Sequence, residues 1–320
     1  MLNGKLSLTI ALFATFFVGL SALEASATIN NDIAAGDPPK TIAETAAGDE
    51  RFSTLVSLLD RVNLVDVLAN EDAAFTVFAP TNDAFAASGI DASQLTDEQI
   101  TEVLLYHVVG GSAIASTDLP EGQTYASTAA ATGPNGAALS LLVERNGGEV
   151  TLNNRVKVAI ADLEASNGTI HAIDGVLLPL DIVGHAAANS NFTTLVEALK
   201  GTPGDFVPLL QSEGPFTVFA PVNGAFEAIK ETVATLSGEQ VAAVLTYHVV
   251  AGANVLSTDL SNGQNVATAN TGQAFTVNIT DGKVTLTDAA GNTVNVVSTD
   301  VQATNGVIHV IDTVLIPGNL

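Results

Sequence analysis

The sequence predicts an α+β protein made of two tandem copies of one domain. The hexapeptide FTVFAP stands at Phe75–Pro80 and returns unchanged at Phe216–Pro221. Two longer pairs of blocks repeat at nearly the same spacing: LLYHVVGG with LTYHVVAG, and SNGTIHAIDGVLLP with TNGVIHVIDTVLIP. The length of 320 residues also suits two domains of ordinary size. Self-similarity at a period of about 140 residues excludes a short-repeat solenoid and indicates a duplicated globular unit.

The first half of each copy carries helical patterns around one short strand. Residues 53–68 place leucines and valines at the spacing of a buried helix face. The FTVFA run is rich in β-branched and aromatic residues and ends at a proline, which predicts a short buried strand. We expect Asn82 and Asn223, just beyond that strand, to cap a new helix by accepting hydrogen bonds from its amides. Capping boxes begin the next helix of each copy: Thr96 with Gln99, and Ser237 with Gln240.

The second half of each copy alternates turn clusters with short β runs. Asn146-Gly147-Gly148 precedes EVTL in copy one, and Asp281-Gly282 precedes KVTL in copy two. This order predicts early helices and an antiparallel sheet assembled from both ends of the copy. The predicted organisation is a signal peptide at 1–27, a tail at 28–37, a first domain at 38–180 and a second at 181–320.

The N-terminus has the pattern of a secretory signal. Lys5 precedes an apolar run at residues 6–20, and Ala25-Ser26-Ala27 fits the small-x-small pattern of signal peptidase, with Ala25 and Ala27 as its small residues. An uncleaved anchor helix is the alternative, because the apolar run approaches the ~20 residues that span a bilayer. No second run of that length follows, so no membrane span is expected after cleavage. The predicted location is extracellular, at the cell surface or periplasmic.

Charge and cysteine content exclude several classes of function. The chain has 34 acidic and 10 basic residues, a net charge of −24, and removing residues 1–27 takes away one charge of each sign. Such a surface repels nucleic-acid phosphates and anionic lipid headgroups, so no nucleic-acid partner is expected. The absence of cysteine excludes disulfides, thiolate metal sites and a cysteine nucleophile.

Four of the five histidines form matched pairs across the copies: His107 with His248, and His171 with His309. Each is either a buried framework residue or part of a site. His171 with Asp174 is the one local acid–base spacing found in both copies, but residues three apart on a strand point to opposite faces. No nucleophile elbow, phosphate loop, dinucleotide fingerprint or metalloprotease motif occurs. We therefore predict no enzyme activity, no metal and no cofactor.

The repeated blocks, taken in order, resemble the fasciclin domain. A strand FTVFAPTNDAF, a YHVV block and a closing NGxIHxIDxVLLP strand occur twice and cover nearly all of the mature chain. The resemblance implies two domains, each a β-sandwich or wedge of about seven strands with short helices at one side. It also implies a secreted or surface role in adhesion without catalysis. In animal members of the family the Tyr-His block is associated with integrin recognition. By this resemblance, binding here would involve Tyr106, His107, Tyr247 and His248.

The leading hypothesis is a secreted, non-enzymatic adhesion protein that binds an extracellular protein or a polysaccharide. The alternative is a periplasmic or matrix carrier of a small ligand or carbohydrate, which requires a concave pocket. Three N-x-T triplets begin at Asn167, Asn191 and Asn278 and would accept N-glycans in a eukaryotic source. The competing interpretation is that these triplets occur by chance.

Overall fold

The computed structural model describes residues 39–204, 206–318 and 320. The predicted signal peptide, its cleavage residues Ala25 and Ala27, and the whole predicted tail at 28–37 lie outside these residues. Domain one contains five α-helices: α1 (Ile42–Ala47), α2 (Ser53–Arg61), α3 (Val65–Leu68), α4 (Asn82–Ser88) and α5 (Asp97–Tyr106). Its seven strands are β1 (Phe75–Pro80), β2 (Val108–Gly110), β3 (Gly122–Ser127), β4 (Ser140–Asn146), β5 (Glu149–Leu152), β6 (Val156–Ala165) and β7 (Gly168–Ile173).

Domain two repeats this order with one additional short helix in the segments described. Its helices are α6 (Ile182–Ala188), α7 (Thr193–Gly201), α8 (Phe206–Leu210), α9 (Asn223–Ala228), α10 (Lys230–Val233) and α11 (Gly238–Tyr247). Its strands are β8 (Phe216–Pro221), β9 (Val249–Ala251), β10 (Asn265–Ala267), β11 (Ala274–Thr280), β12 (Lys283–Thr287), β13 (Thr293–Ala303) and β14 (Gly306–Ile311). The predicted α+β class and the seven strands per domain are confirmed.

Each domain is built on one strongly curved sheet that nearly closes on itself. The strand orders are β2-β1-β7-β6-β5-β4-β3 and, in the same sense, β9-β8-β14-β13-β12-β11-β10. The predicted antiparallel pairing holds except that the first strand of each domain runs parallel to the last, β1 with β7 and β8 with β14. The Ala129 N–H donates to the Val108 carbonyl at 2.7 Å, which brings the two ends of the first sheet together.

The repeated hexapeptide is the strand that joins the two halves of each core. Val77 and Ala79 pack against the helices, while Phe78 between them packs inside the curved sheet. In domain two Val218 and Ala220 belong to the helical side of the core and Phe219 to the sheet interior. Because both faces of this strand pack against other parts of the domain, every side chain from Thr76 to Pro80 is buried.

The helix starts confirm one capping prediction and correct another. Both capping boxes are present, at the N-termini of α5 and α11. Asn82 and Asn223, however, do not cap the helices that they begin. Thr81 caps α4 by accepting from the Ala84 N–H, whereas Asn82 Oδ1 reaches across to accept from the Thr54 N–H of α2 at 2.9 Å. Val222 replaces the capping threonine in domain two, where α9 has no side-chain cap.

Candidate functional site

The predicted binding residues Tyr106 and His107 are buried at the C-terminal end of α5. The Tyr106 side chain is fully buried, and its hydroxyl donates to the Ser140 carbonyl at 2.9 Å. His107 Nδ1 donates to the Val103 carbonyl at 2.6 Å, and Nε2 accepts from the Leu177 N–H at 2.9 Å. The ring thus satisfies one of the last carbonyls of the helix and attaches the helix to the closing segment of the domain.

The second copy repeats this geometry. His248 Nδ1 donates to the Val244 carbonyl at 2.7 Å, and Nε2 accepts from the Leu315 N–H at 2.9 Å. The buried Tyr247 donates to the Ala274 carbonyl at 2.7 Å and accepts from the Ala289 N–H. Since the same bonds form twice, they are a property of the domain and not of one local environment.

Burial sets the protonation states of these groups. It lowers the pKa of His107 and of His248 to about 4, although the bonds to the helix carbonyls favour the charged form. Burial also raises the pKa of Tyr106 to about 12. All four side chains are neutral near pH 7 and are not accessible to a ligand on the surface. This geometry favours a framework role, and direct ligand binding by Tyr106, His107, Tyr247 and His248 stays a prediction.

A second repeated constellation surrounds His171 and His309, and its aspartates escaped the sequence analysis. The strand β6 bulges at Asp162, whose φ of 60° is in the left-handed region. Ser116 donates to this carboxylate from both its backbone N–H and its hydroxyl, at 2.7 and 2.6 Å. Burial opposes the negative charge, but these bonds hold the pKa of Asp162 below its usual value. The serine begins a four-residue block, STDL, that stands at Ser116–Leu119 and again at Ser257–Leu260, and this repeat is the sequence signal for the constellation.

The constellation does not have the geometry of a catalytic triad. His171 Nδ1 accepts from the Asp162 backbone N–H, and Nε2 donates to the Ile114 carbonyl at 3.0 Å. The serine hydroxyl is bonded to the carboxylate, so no base is placed to activate it. The copy with Ser257, Asp300 and His309 makes the same contacts. His171 and Asp174 do not bond to each other, as predicted. Asp174 Oδ1 accepts from the Lys157 N–H, whereas the His171 ring bonds to the backbone of Asp162 and Ile114.

The described residues offer no metal site, and one of the three predicted glycosylation sites is buried. Within the residues that the structure describes, no group of three His, Asp or Glu side chains is placed to hold a metal ion. Asn167, one of the triplet asparagines, is buried, and its amide nitrogen donates to the carbonyls of Leu68 and Asn70. Its Oδ1 accepts from the Ile42 N–H at 2.8 Å. A folded domain therefore cannot present Asn167 to a glycosyltransferase.

The two domains meet at a polar joint, which we define by eight residues: Gln123, Tyr125, Gly133 and Ser140 of domain one, and His185, Asn189, Asn191 and Gln302 of domain two. Asn189 Nδ2 donates to the Tyr125 hydroxyl at 3.0 Å, and the Gln302 backbone N–H donates to Ser140 Oγ at 2.9 Å. The Tyr125 ring packs against the core of domain two. A Cβ on Gly133 would lie 3.0 Å from Gln302 Cγ, so the glycine permits this close approach.

Comparison with known proteins identifies the family of both domains. The sequence pattern of the Fasciclin domain matches residues 50–179 and again residues 190–317. The chain belongs to the fasciclin-domain family. Fasciclin domains are generally non-catalytic adhesion or binding modules, and proteins that carry them are typically secreted or on the cell surface.

Individual relatives come from several kinds of organism. Protein sll1483 of Synechocystis sp. is 43% identical over 143 residues, which are 43% of this chain and 74% of that protein. The Fasciclin-like arabinogalactan protein of Arthroderma benhamiae is 28% identical over 269 residues, 82% of this chain and 61% of that protein. A solved FAS1 domain pair from the insect cell adhesion molecule Fasciclin I is 20% identical, with a TM-score of 0.48, and the match covers 81% of this chain and 92% of that one.

The joint residues differ between the two fasciclin domains in a consistent way. In domain two the face that docks on domain one carries His185, Asn189, Asn191 and Gln302. The equivalent positions of domain one carry Thr45, Asp49, Arg51 and Glu164. None of the described residues covers Glu164 on that face of domain one, where it is exposed, whereas Gln302 is only 2% exposed. At two of these positions a charged residue of domain one, Asp49 or Glu164, corresponds to a neutral and buried residue of domain two, Asn189 or Gln302. This difference agrees with the cost of burying a charge.

A cleft of about 440 Å³ lies beside the joint and is open to solvent. Thr132 and Pro134 of domain one form one wall, and the 211–215 loop with Thr304 of domain two forms the other. The Gln211 and Glu213 side chains in this loop are exposed. The cleft is therefore a candidate binding surface to which both fasciclin domains contribute.

No helix within the described ranges has the length and apolarity needed to cross a membrane.

Proposed function

We propose that this protein is a secreted, non-enzymatic adhesion protein that binds an extracellular or cell-surface protein or a polysaccharide. The mature chain would start at residue 28, with domains at 38–180 and 181–320. One observation carries the proposal: in both fasciclin domains the repeated histidines have both ring nitrogens bonded to backbone groups. These histidines therefore stabilise the fold of each domain, and we assign ligand binding to surfaces that differ between the two copies.

The cleft beside the joint supports this proposal. Its walls carry polar side chains, among them Thr132, Gln211 and Glu213, that suit the hydroxyl groups of a polysaccharide or the backbone of an extended protein segment, and its volume lies within the range of ligand sites. The net charge of −24 favours neutral or basic partners. A basic partner would dissociate as salt rises, because screening weakens contacts between exposed charges.

The carrier alternative gains less support. The apolar cavity behind the helices of domain two, bordered by Leu195, Leu199 and Leu245, measures about 20 Å³. That volume accommodates roughly one water molecule. The cleft beside the joint is open, so it does not enclose a small ligand as a carrier site does.

Retention of matrix material on a surface coated with residues 28–320 tests the proposal. The matrix fraction of the source organism is applied untreated, after protease digestion and after glycosidase digestion, to tell a protein partner from a polysaccharide. The double variant Gln211→Ala/Glu213→Ala should lose retention, whereas Glu71→Ala, at the equivalent place in domain one, should not. Retention equal to that of an albumin-coated surface would refute the proposal, and turnover of ester or glycoside substrates would refute its non-enzymatic part.

A further inference from the structure

One buried histidine differs from the other four in having no hydrogen-bond partner. His185, on α6, is fully buried, and neither Nδ1 nor Nε2 is within hydrogen-bonding geometry of any described atom. The other histidines have both ring nitrogens engaged, namely His107, His171, His248 and His309. A buried polar group without a partner is destabilising and calls for a functional explanation.

The groups that face the His185 ring are neutral. From β3, Tyr125 presents its ring edge to His185 with centroids 5.8 Å apart, and its hydroxyl is already bonded to Asn189. Burial raises the pKa of Tyr125 to about 12, so it stays neutral in acid. From β13 the Gln302 backbone lies close enough to the ring to favour its charged form, but it does not have the geometry of a hydrogen bond to either ring nitrogen. On α6 itself the carboxylate is Asp181, which accepts from the Gly184 N–H, and no described carboxylate pairs with the His185 ring.

Tyr125 of domain one packs directly against this ring. The equivalent residue of domain one, Thr45 on α1, lies on the face that no neighbouring domain covers, and it is partly exposed. Separating the domains would remove Tyr125 from His185 and give both ring nitrogens access to water. The closed joint therefore requires a neutral, unbonded ring, whereas an open joint accepts either protonation state.

We propose that His185 makes the joint between the two fasciclin domains sensitive to pH, so that protonation of this side chain in mildly acidic surroundings separates the domains. Separation would widen the cleft and change the relative placement of its two walls. The inference concerns the joint itself and holds whatever partner the cleft binds.

The sign and size of the effect follow from linkage. Burial lowers the pKa of His185 to about 4 in the closed joint, although the Gln302 backbone acts in the opposite direction, against an ordinary value of 6.5. Well above pH 6.5 the ring is neutral in both states and the joint is insensitive to pH. Below that value the open state binds the proton more readily, so the ratio of closed to open falls by up to about tenfold per pH unit. At pH 4, where the ring of the closed state is itself half protonated, the ratio is about 160-fold lower than at neutral pH.

Hydrogen exchange of the full chain tests this directly, because the Gln302 N–H donates to Ser140 Oγ across the joint. Its protection factor, corrected for the intrinsic exchange rate, should be constant well above pH 6.5 and fall by up to about tenfold per unit below that value. The Ile308 amide in the core strand β14 serves as the control that domain two remains folded. In His185→Phe, which cannot titrate, the fall at Gln302 should vanish.

Two results would overturn the proposal. One is a Gln302 protection factor that does not depend on pH, or that equals the Ile308 value throughout. The other is the same pH dependence in wild type and His185→Phe. Should the phenylalanine variant fail to fold, as judged by loss of Ile308 protection at pH 7.5, His185→Gln removes the titration with a smaller side chain and decides the matter in the same assay.

Discussion

Replacing His107 by alanine distinguishes a framework histidine from a binding one. In the native domain the ring joins two backbone groups, the Val103 carbonyl at the end of α5 and the Leu177 N–H in the closing segment. Alanine removes both bonds and leaves two buried polar groups without partners. We therefore expect His107→Ala to destabilise domain one strongly, and His248→Ala to do the same in domain two.

The magnitude follows from the groups left unsatisfied. Each buried backbone group without a partner costs about 1–3 kcal/mol, and the loss of the ring adds a cavity. The sum is about 3–5 kcal/mol, which in a domain of this size lowers the melting temperature by about 10–20 °C. Calorimetry of the full chain measures it, since the transition of the altered domain should separate from that of the other.

The control is Glu98→Gln, an exposed change on the same helix, which should alter stability by no more than about 0.5 kcal/mol. The framework reasoning is refuted if His107→Ala unfolds within a few degrees of wild type and at the same time loses matrix retention. That result would assign the Tyr-His block to binding, as the family resemblance implied.

Three further predictions concern stability. As pH falls from 6.5 towards 4, the free energy of unfolding of each domain should drop by about 1.4 kcal/mol per pH unit for each histidine whose pKa burial lowers to about 4. Above pH 7 the contribution of these histidines should not depend on pH. Denaturant titrations across this range measure the free energy of unfolding, and a rise in stability towards acid pH would contradict the prediction. Gly168→Ala should lower the free energy of unfolding of domain one by more than about 4 kcal/mol, because the added Cβ would lie 2.0 Å from the Phe75 carbonyl oxygen. The control Gly110→Ala places its Cβ in open space and should still fold. Expression levels and melting temperatures of the two variants test the difference. Thr81→Val, which copies Val222 of domain two, should cost about 1 kcal/mol by removing the cap of α4, and an unchanged melting temperature would show that this bond contributes nothing.

The sequence predicted the fold well because the duplication repeats its informative blocks. FTVFAP, the capping boxes and the closing NGxIH strand each depend on local patterns, and each occupies its predicted type of element. The parallel pairing of β1 with β7 escaped prediction, since strands separated by so many residues carry no local sign of their relative direction. The capping role given to Asn82 was wrong for a related reason: its partner, the Thr54 N–H, is distant in sequence.

The candidate site was less accessible to sequence reasoning. The burial of Tyr106 and His107 can be anticipated from the apolar residues around them in the sequence. The joint could not, because its contacts link positions as far apart as Ser140 and Gln302. His185 has no histidine counterpart in the other copy, and for that reason the sequence suggested no role for it. The same difference between the copies is what distinguishes residues of the joint.

Comparison of the two copies separates the residues that build a fasciclin domain from those that build this protein. Phe78 and Phe219, which are identical in the two copies, are buried in both domains. Glu164 and Gln302, which occupy equivalent positions and differ in charge, are exposed in domain one and buried in domain two. The covered face occurs only on domain two, so the order of the domains is not interchangeable. A chain with the copies exchanged would bury Glu164 in the joint and leave His185 exposed to water, and the pH sensitivity would then be lost together with the joint.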